Sequence, residues 1–308
     1  MKYLNPAPGL MISEIVAGCM RIPALEQKEL VRFLEAAKEA GINFFDHADI
    51  YGGGESEIVF AEALKHSSLR REDIYLQSKC GIINNDEVLR FDFSKEHILK
   101  SVDGILKRLQ TDYLDVLLLH RPDALVEPEE VAEALTTLAE SGKVRHFGVS
   151  NHNPMQIELL KRYVKQKFLF NQLQMSVMFT GMIDAGLNVN MKNAASVDHD
   201  NSTLDYCRLK DITVQAWSPY QYGYFGGVFV GNEKFPELNK VLSEMGEKYG
   251  ISPTAMASAF LLRHPVPMQV VLGTTKPERL KDIATATDIK LSHKDWYAIY
   301  HAAGNTLP

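Results

Sequence analysis

Cysteine is scarce in this sequence: Cys19, Cys80 and Cys207 lie far apart, odd in number and without CxxC spacing. That pattern argues against a disulfide framework or a structural zinc site and leaves buried free thiols as the expectation. Basic clusters are missing too. Lys and Arg come no denser than Arg70-Arg71 or Lys161-Arg162, and the net charge is −6, so nucleic acid is not the expected partner. No apolar run approaches a membrane span, and the opening MKYLNPAPGLMISEIV has no continuous hydrophobic stretch of the signal-peptide kind. The expected location is cytoplasmic, with no membrane partner. No apolar run is followed by GxGxxG; the YGGGES segment has the wrong spacing and follows a polar loop, which disfavours a doubly wound dinucleotide fold. An HxH pair at the first strand is also absent, which disfavours a metal-dependent barrel hydrolase, and no metal is expected.

What is present is ordinary for an enzyme core. The 308 residues are 45% hydrophobic and 23% charged, and a (β/α) barrel uses this length as one domain, here taken as residues 1–308. Short apolar runs recur at Ile15-Val16-Ala17, Phe44-Phe45, Ile74-Tyr75-Leu76, Leu114 to Leu119, Phe147-Gly148-Val149, Phe168-Leu169-Phe170, Ile212-Thr213-Val214 and Val270-Val271-Leu272. Helical patterns separate most of them. Leu30, Phe33, Leu34 and Ala37 precede Gly41; Ile98, Val102, Ile105 and Leu109 follow Ser94, a candidate N-cap; Val131, Ala134, Leu135 and Leu138 end at Gly142. Eight strand-helix units predict a closed parallel (β/α)8 TIM barrel with its helices outside. Residues 1–13 read as a hairpin capping the barrel's N-terminal end. Residues 176–203 and 218–234 read as long loops after strands six and seven, where binding function concentrates.

In such a barrel, reactive groups project from the C-terminal strand ends. The second run stops at Asp46, the third at Lys79 and the fourth at His120, while Tyr51 lies on the loop FDHADIYGGGE after Asp46. Each has an ordinary structural role when taken alone: an ion pair, a strand-end histidine, an aromatic lid. Together they make a proton donor. A free phenol titrates near about 10 and releases its proton reluctantly. A neighbouring ammonium lowers that value, and a carboxylate keeps the ammonium charged. His120 supplies a hydrogen bond that can orient a carbonyl.

With these residues in view, the chain resembles the aldo-keto reductase family over nearly its whole length. The segments that carry the likeness are FDHADIYGGGESE, LQSKCGI, LDVLLLHRPD, GKVRHFGVSNH, FNQLQ, AWSPY and GTTKPER, and they are particularly similar to the bacterial YdhF-type branch. The resemblance implies a catalytic tetrad of Asp46, Tyr51, Lys79 and His120 and an NADPH extended across the barrel mouth. It places Ser150, Asn151 and Gln172 on the nicotinamide carboxamide, Trp217 on the ring and Met20 beside the cofactor. Ser218, Pro219, Tyr220, Tyr222 and Gly223 would run along the pyrophosphate. His47 replaces the Thr of the usual FDTA form, and Gly273 stands where some members carry Lys. The implied activity is NADPH-dependent reduction of an aldehyde or ketone. A non-catalytic NADP(H)-binding redox-sensing subunit of the same fold is the alternative.

The adenine end has a physical reading of its own. Pro277 suits the first turn of a helix, which leaves Gly273, Thr274, Thr275 and Lys276 at a helix N-terminus with Arg279 one turn in. Backbone donors and two cations suit a phosphate monoester such as the 2′-phosphate of NADPH.

Overall fold

The computed structural model describes residues 1–84 and 88–308. Eight parallel strands close into a barrel: β1 (Ile15–Gly18), β2 (Phe44–Asp46), β3 (Tyr75–Cys80), β4 (Leu114–Leu119), β5 (Val144–Ser150), β6 (Phe168–Gln174), β7 (Thr213–Trp217) and β8 (Met268–Leu272). Each pairs with its sequence neighbours, and β8 closes on β1 through Leu272 opposite Ala17. The β1–β8 seam is tight, because a Cβ on Gly18 would sit 2.3 Å from the Leu272 carbonyl oxygen. All eight expected runs are strands of this barrel. The third extends past the expected stop, so Lys79 lies inside β3, paired in register with Leu118 of β4.

Helices cover the outside, for physical reasons visible in their ends. Gln27–Glu39 closes at Gly41, whose φ of 74° is the left-handed conformation a helix stop favours. Lys95–Leu109 starts at Ser94, whose side chain accepts a hydrogen bond from the His97 amide. Pro128–Glu140 buries Val131, Ala134, Leu135 and Leu138 on one face. Among the described residues no helix is long and apolar enough to cross a membrane.

The N-terminal hairpin pairs Tyr3–Leu4 with Ile12–Ser13 in antiparallel fashion. Its Leu10 and Ile12 pack with Val16, Phe44, Val116, Leu118, Leu169, Phe170 and Val271 in an apolar cluster. Burying these side chains plugs the end opposite the site with aliphatic and aromatic volume. The stretch after β6 departs from its expectation as a plain loop. It contains a helix at Gly181–Leu187 and a short 3-10 turn at Ala194–Ser196, and Thr203–Leu209 returns the chain to β7. Its polar composition hid Ile183, which is buried against the core. The segment after β7 has no regular element before Pro236–Tyr249 apart from a bridge between Gln221 and Val228.

Candidate active site

The turn that carries Tyr51 is built by three glycines. Asp46 ends β2, and Tyr51–Gly54 makes a 3-10 turn in which Gly52, Gly53 and Gly54 have φ of 60°, 66° and 94°. Three successive left-handed residues are accessible to glycine and strained for other residue types. The turn feeds directly into the helix Glu55–Lys65 and holds the Tyr51 phenol over the barrel mouth.

There the sequence-predicted groups meet. The Lys79 side chain is fully buried, and its ammonium lies 2.8 Å from both Asp46 carboxylate oxygens. It also donates to the His47 carbonyl at 2.8 Å and to Tyr51 Oη at 3.0 Å. A buried ammonium is tolerable only when paired and hydrogen-bonded, and these contacts supply both. An ammonium can only donate, so Tyr51 Oη accepts in that bond and keeps its own proton available for the cavity. The His120 ring stands edge-on to Tyr51, with centroids 6.3 Å apart at 82°.

The electrostatics refine the expectation for the phenol. Burial pushes the Tyr51 pKa up, and the Lys79 ammonium, pulling it down, offsets only part of this. The phenol therefore sits above its ordinary value, a correction to the lowered pKa expected from a neighbouring cation alone. For Lys79, burial acts to lower the pKa, but Asp46 and Tyr51 together outweigh it and hold the ammonium charged. His120 is held well below its usual range by burial, with Lys79 and Arg121 adding to the effect, so its imidazole is neutral. His47 is also neutral, pushed down to about 3 by burial and Lys79. Its Nδ1 is 3.4 Å from Ser56 Oγ and its ring meets Phe60 edge-on at 4.6 Å.

Beneath Asp46 lies a layer of buried amides. Gln77 and Gln172 both donate to Asp46 Oδ1, at 2.5 and 3.1 Å. Gln215 donates to Gln77 at 3.0 Å and to Gln269 at 2.9 Å, and Gln269 donates to the Ser13 carbonyl at 2.7 Å. Gln77, Gln215 and Gln269 were missed by reading strand ends only. Their signal is a polar residue inside an otherwise apolar parallel strand, in YLQSK, TVQAW and MQVVL.

A cavity of about 450 Å³ opens above Asp46, Tyr51 and His120. Of the proposed cofactor contacts, Met20, Ser150, Asn151, Gln172, Trp217, Ser218, Pro219, Tyr220, Gly273, Thr274 and Arg279 line it. Tyr222, Gly223, Thr275 and Lys276 do not. Tyr222 packs on Phe235 at 5.0 Å, and the Gly223 carbonyl accepts from Gln174 Nε2 at 3.0 Å. The Ser150 hydroxyl donates to the Gln172 carbonyl at 2.9 Å, and Asn151 Oδ1 accepts the Trp217 indole N–H at 3.1 Å, which fixes the indole plane. At the far end Lys276 caps the helix Pro277–Ala284, with Pro277 in its first turn. Arg21, absent from the sequence reading, donates to the Gly273 carbonyl at 3.4 Å and brings a guanidinium to a place where Gly273 offers no side chain.

Residues 14–303 match the Aldo/keto reductase family. The chain belongs to the aldo/keto reductase family. It is 33% identical to the oxidoreductase YdhF of Escherichia coli and 33% identical to a 6-dehydroglucose reductase of Agrobacterium fabrum, each over 98% of both chains. The crystal structure of an aldo-keto reductase from Klebsiella pneumoniae in complex with NADPH shares the fold, with a TM-score of 0.75 at 22% identity, covering 97% of this chain and 93% of that one. In this family member the YdhF-type likeness first carried by FDHADIYGG and GKVRHFGVSN extends over the whole length.

Proposed function

We propose that this aldo/keto reductase catalyses NADPH-dependent reduction of a small aldehyde or ketone to an alcohol, with Tyr51 as the general acid. The observation that carries this reading is the Lys79 ammonium held between Asp46 at 2.8 Å and Tyr51 at 3.0 Å, with the phenol O–H left free toward the cavity. NADPH, when bound, supplies the hydride that reaches the carbonyl carbon. Tyr51 gives its proton to the carbonyl oxygen, so a C–H and an O–H bond form as the C=O double bond becomes single. Lys79 then faces a phenolate, whose charge it stabilises, and Asp46 keeps Lys79 in its charged form. His120, being neutral, has one ring N–H with which to orient the carbonyl oxygen.

The residues suit that cofactor at both ends. Trp217 presents a fixed indole beside Ser150, Asn151 and Gln172, and the cavity reaches Arg21 and Arg279 beside Gly273. Two cations by the N-terminal turn of Pro277–Ala284 match a phosphate monoester. The test is NADPH oxidation, followed by the loss of reduced-nicotinamide absorbance, with 4-nitrobenzaldehyde and a panel of aldehydes, ketones and sugars. Turnover by the wild type, with Tyr51→Phe reduced in kcat by roughly 10²-fold or more at similar NADPH affinity, is expected. NADPH binding without turnover of any carbonyl would favour the non-catalytic subunit, and near wild-type kcat in Tyr51→Phe would remove the phenol from the acid role.

A further inference from the structure

In the HRPD segment Arg121 contributes to the proton chemistry only by helping to keep His120 neutral, and its own hydrogen-bonding groups are left without a protein partner among the described residues. Four arginines are half-buried among the described residues: Arg71, Arg108, Arg121 and Arg263. Arg71 pairs with Asp115 and Arg108 with Glu57, each at 2.7 Å, while Arg263 donates to the Leu291 carbonyl at 2.7 Å. Arg121 has no such partner among the described residues, and its guanidinium carbon lies 5.9 Å from the Trp217 ring centroid. A half-buried guanidinium is poorly compensated unless a ligand completes its hydrogen bonds.

Arg121 lines both the cavity over Tyr51 and a second cavity of about 390 Å³, and Asn151, Trp217 and Tyr224 are shared with it. The second cavity has donors and acceptors to spare. Gln156 Oε1 accepts from the Asn153 amide, which leaves Nε2 free, and Gln174 Nε2 is engaged with Gly223, which leaves Oε1. The half-buried Asp200 carboxylate lines the same wall without a side-chain partner among the described residues. An anion only accepts hydrogen bonds, and Asp200 would repel it. A hydroxyl both donates and accepts, so it can satisfy Arg121 and Asp200 alike. Trp217 and Tyr224 add flat apolar faces for the C–H side of such a molecule.

We infer that the second cavity is a subsite for the distal hydroxyl groups of a polyhydroxylated aldehyde or ketone whose carbonyl lies at Tyr51. The subsite rests on the reductase reading. The test measures kcat/KM of the purified enzyme with NADPH for D-xylose and for pentanal, each expressed per molecule of open-chain aldehyde, with 4-nitrobenzaldehyde as a reference. The expected ratio favours the sugar by about tenfold or more, because each hydrogen bond to a charged group contributes a factor of that order. Arg121→Gln and Asp200→Asn should each lower the ratio through KM, and Arg121→Lys should restore part of it. Equal efficiency for sugar and pentanal would overturn the subsite and leave the reductase reading standing. A preference for succinic semialdehyde over both would also overturn it, since Arg121 would then be reading an anion. No turnover of any aldehyde, the reference included, would overturn the reductase reading, and the subsite with it.

Discussion

Tyr51 shows how one side chain's acidity is decided by two opposed neighbours. Burial favours the neutral phenol, Lys79 favours the phenolate, and burial wins in the free protein. A general acid must be protonated to act, so in the proposed reaction the raised pKa would extend the range in which Tyr51 can donate. The kcat/KM for reduction is therefore expected to stay level up to the ordinary phenol value of 10.0 and to fall only above it. A decline centred below that value would show that the ammonium dominates. Lys79→Met removes the cation that stabilises the phenolate and leaves the buried Asp46 carboxylate without its pair. A loss of roughly 10²-fold or more in kcat is expected, with an altered pH profile. Retained activity with an unshifted profile would separate Lys79 from the acid.

At the scale of elements, the loop after β1 and the turn before Pro277–Ala284 converge on one end of the cavity. The sequence alone suggested Lys276 and Arg279 for a 2′-phosphate, with Gly273 removing a third cation. The fold returns a cation to that place from the other side of the chain, since Arg21 reaches the Gly273 carbonyl. Arg279 and Arg21 line the cavity, whereas Lys276 does not. Arg279→Ala and Arg21→Ala are thus both expected to weaken NADPH by about tenfold and NADH far less, in a fluorescence titration. Equal weakening of the two cofactors would place these residues on the adenine or on the fold. Lys276→Ala should change the preference less than either arginine.

For the molecule as a whole, the closed barrel sets its stability against pH by what it buries. Asp49, just past β2, is raised to about 7 by burial, with Glu57 adding to the effect, and its Oδ1 is buried without a hydrogen-bond partner. A carboxyl with a raised folded pKa holds its proton more tightly folded than unfolded. Its contribution is therefore full below its ordinary value of 3.8 and lost as pH rises through about 7. Asp49→Asn should accordingly gain in Tm relative to wild type more at pH 8 than at pH 5, in thermal denaturation followed by circular dichroism. An equal difference at the two pH values would mean Asp49 is solvated. The eight strands, the helix stops at Gly41 and Gly142 and the N-terminal plug were legible in the sequence, because strand runs, glycine φ and turn residues are local properties. So was the meeting of Asp46, Tyr51, Lys79 and His120 at one barrel mouth, because a barrel aligns its strand ends and a polar residue ending an apolar run is visible in one dimension. What only the tertiary structure decided depends on chain segments far apart. The direction of the Tyr51 pKa follows from how the turn after β2 packs the half-buried phenol against Lys79 and Asp46 at the barrel mouth. The amide layer joins Gln77, Gln172, Gln215 and Gln269 from four strands beneath Asp46. Arg21 stands beside Gly273 because β1 and β8 close the barrel next to each other. Those relations are distances across a closed sheet, which the order of residues does not contain.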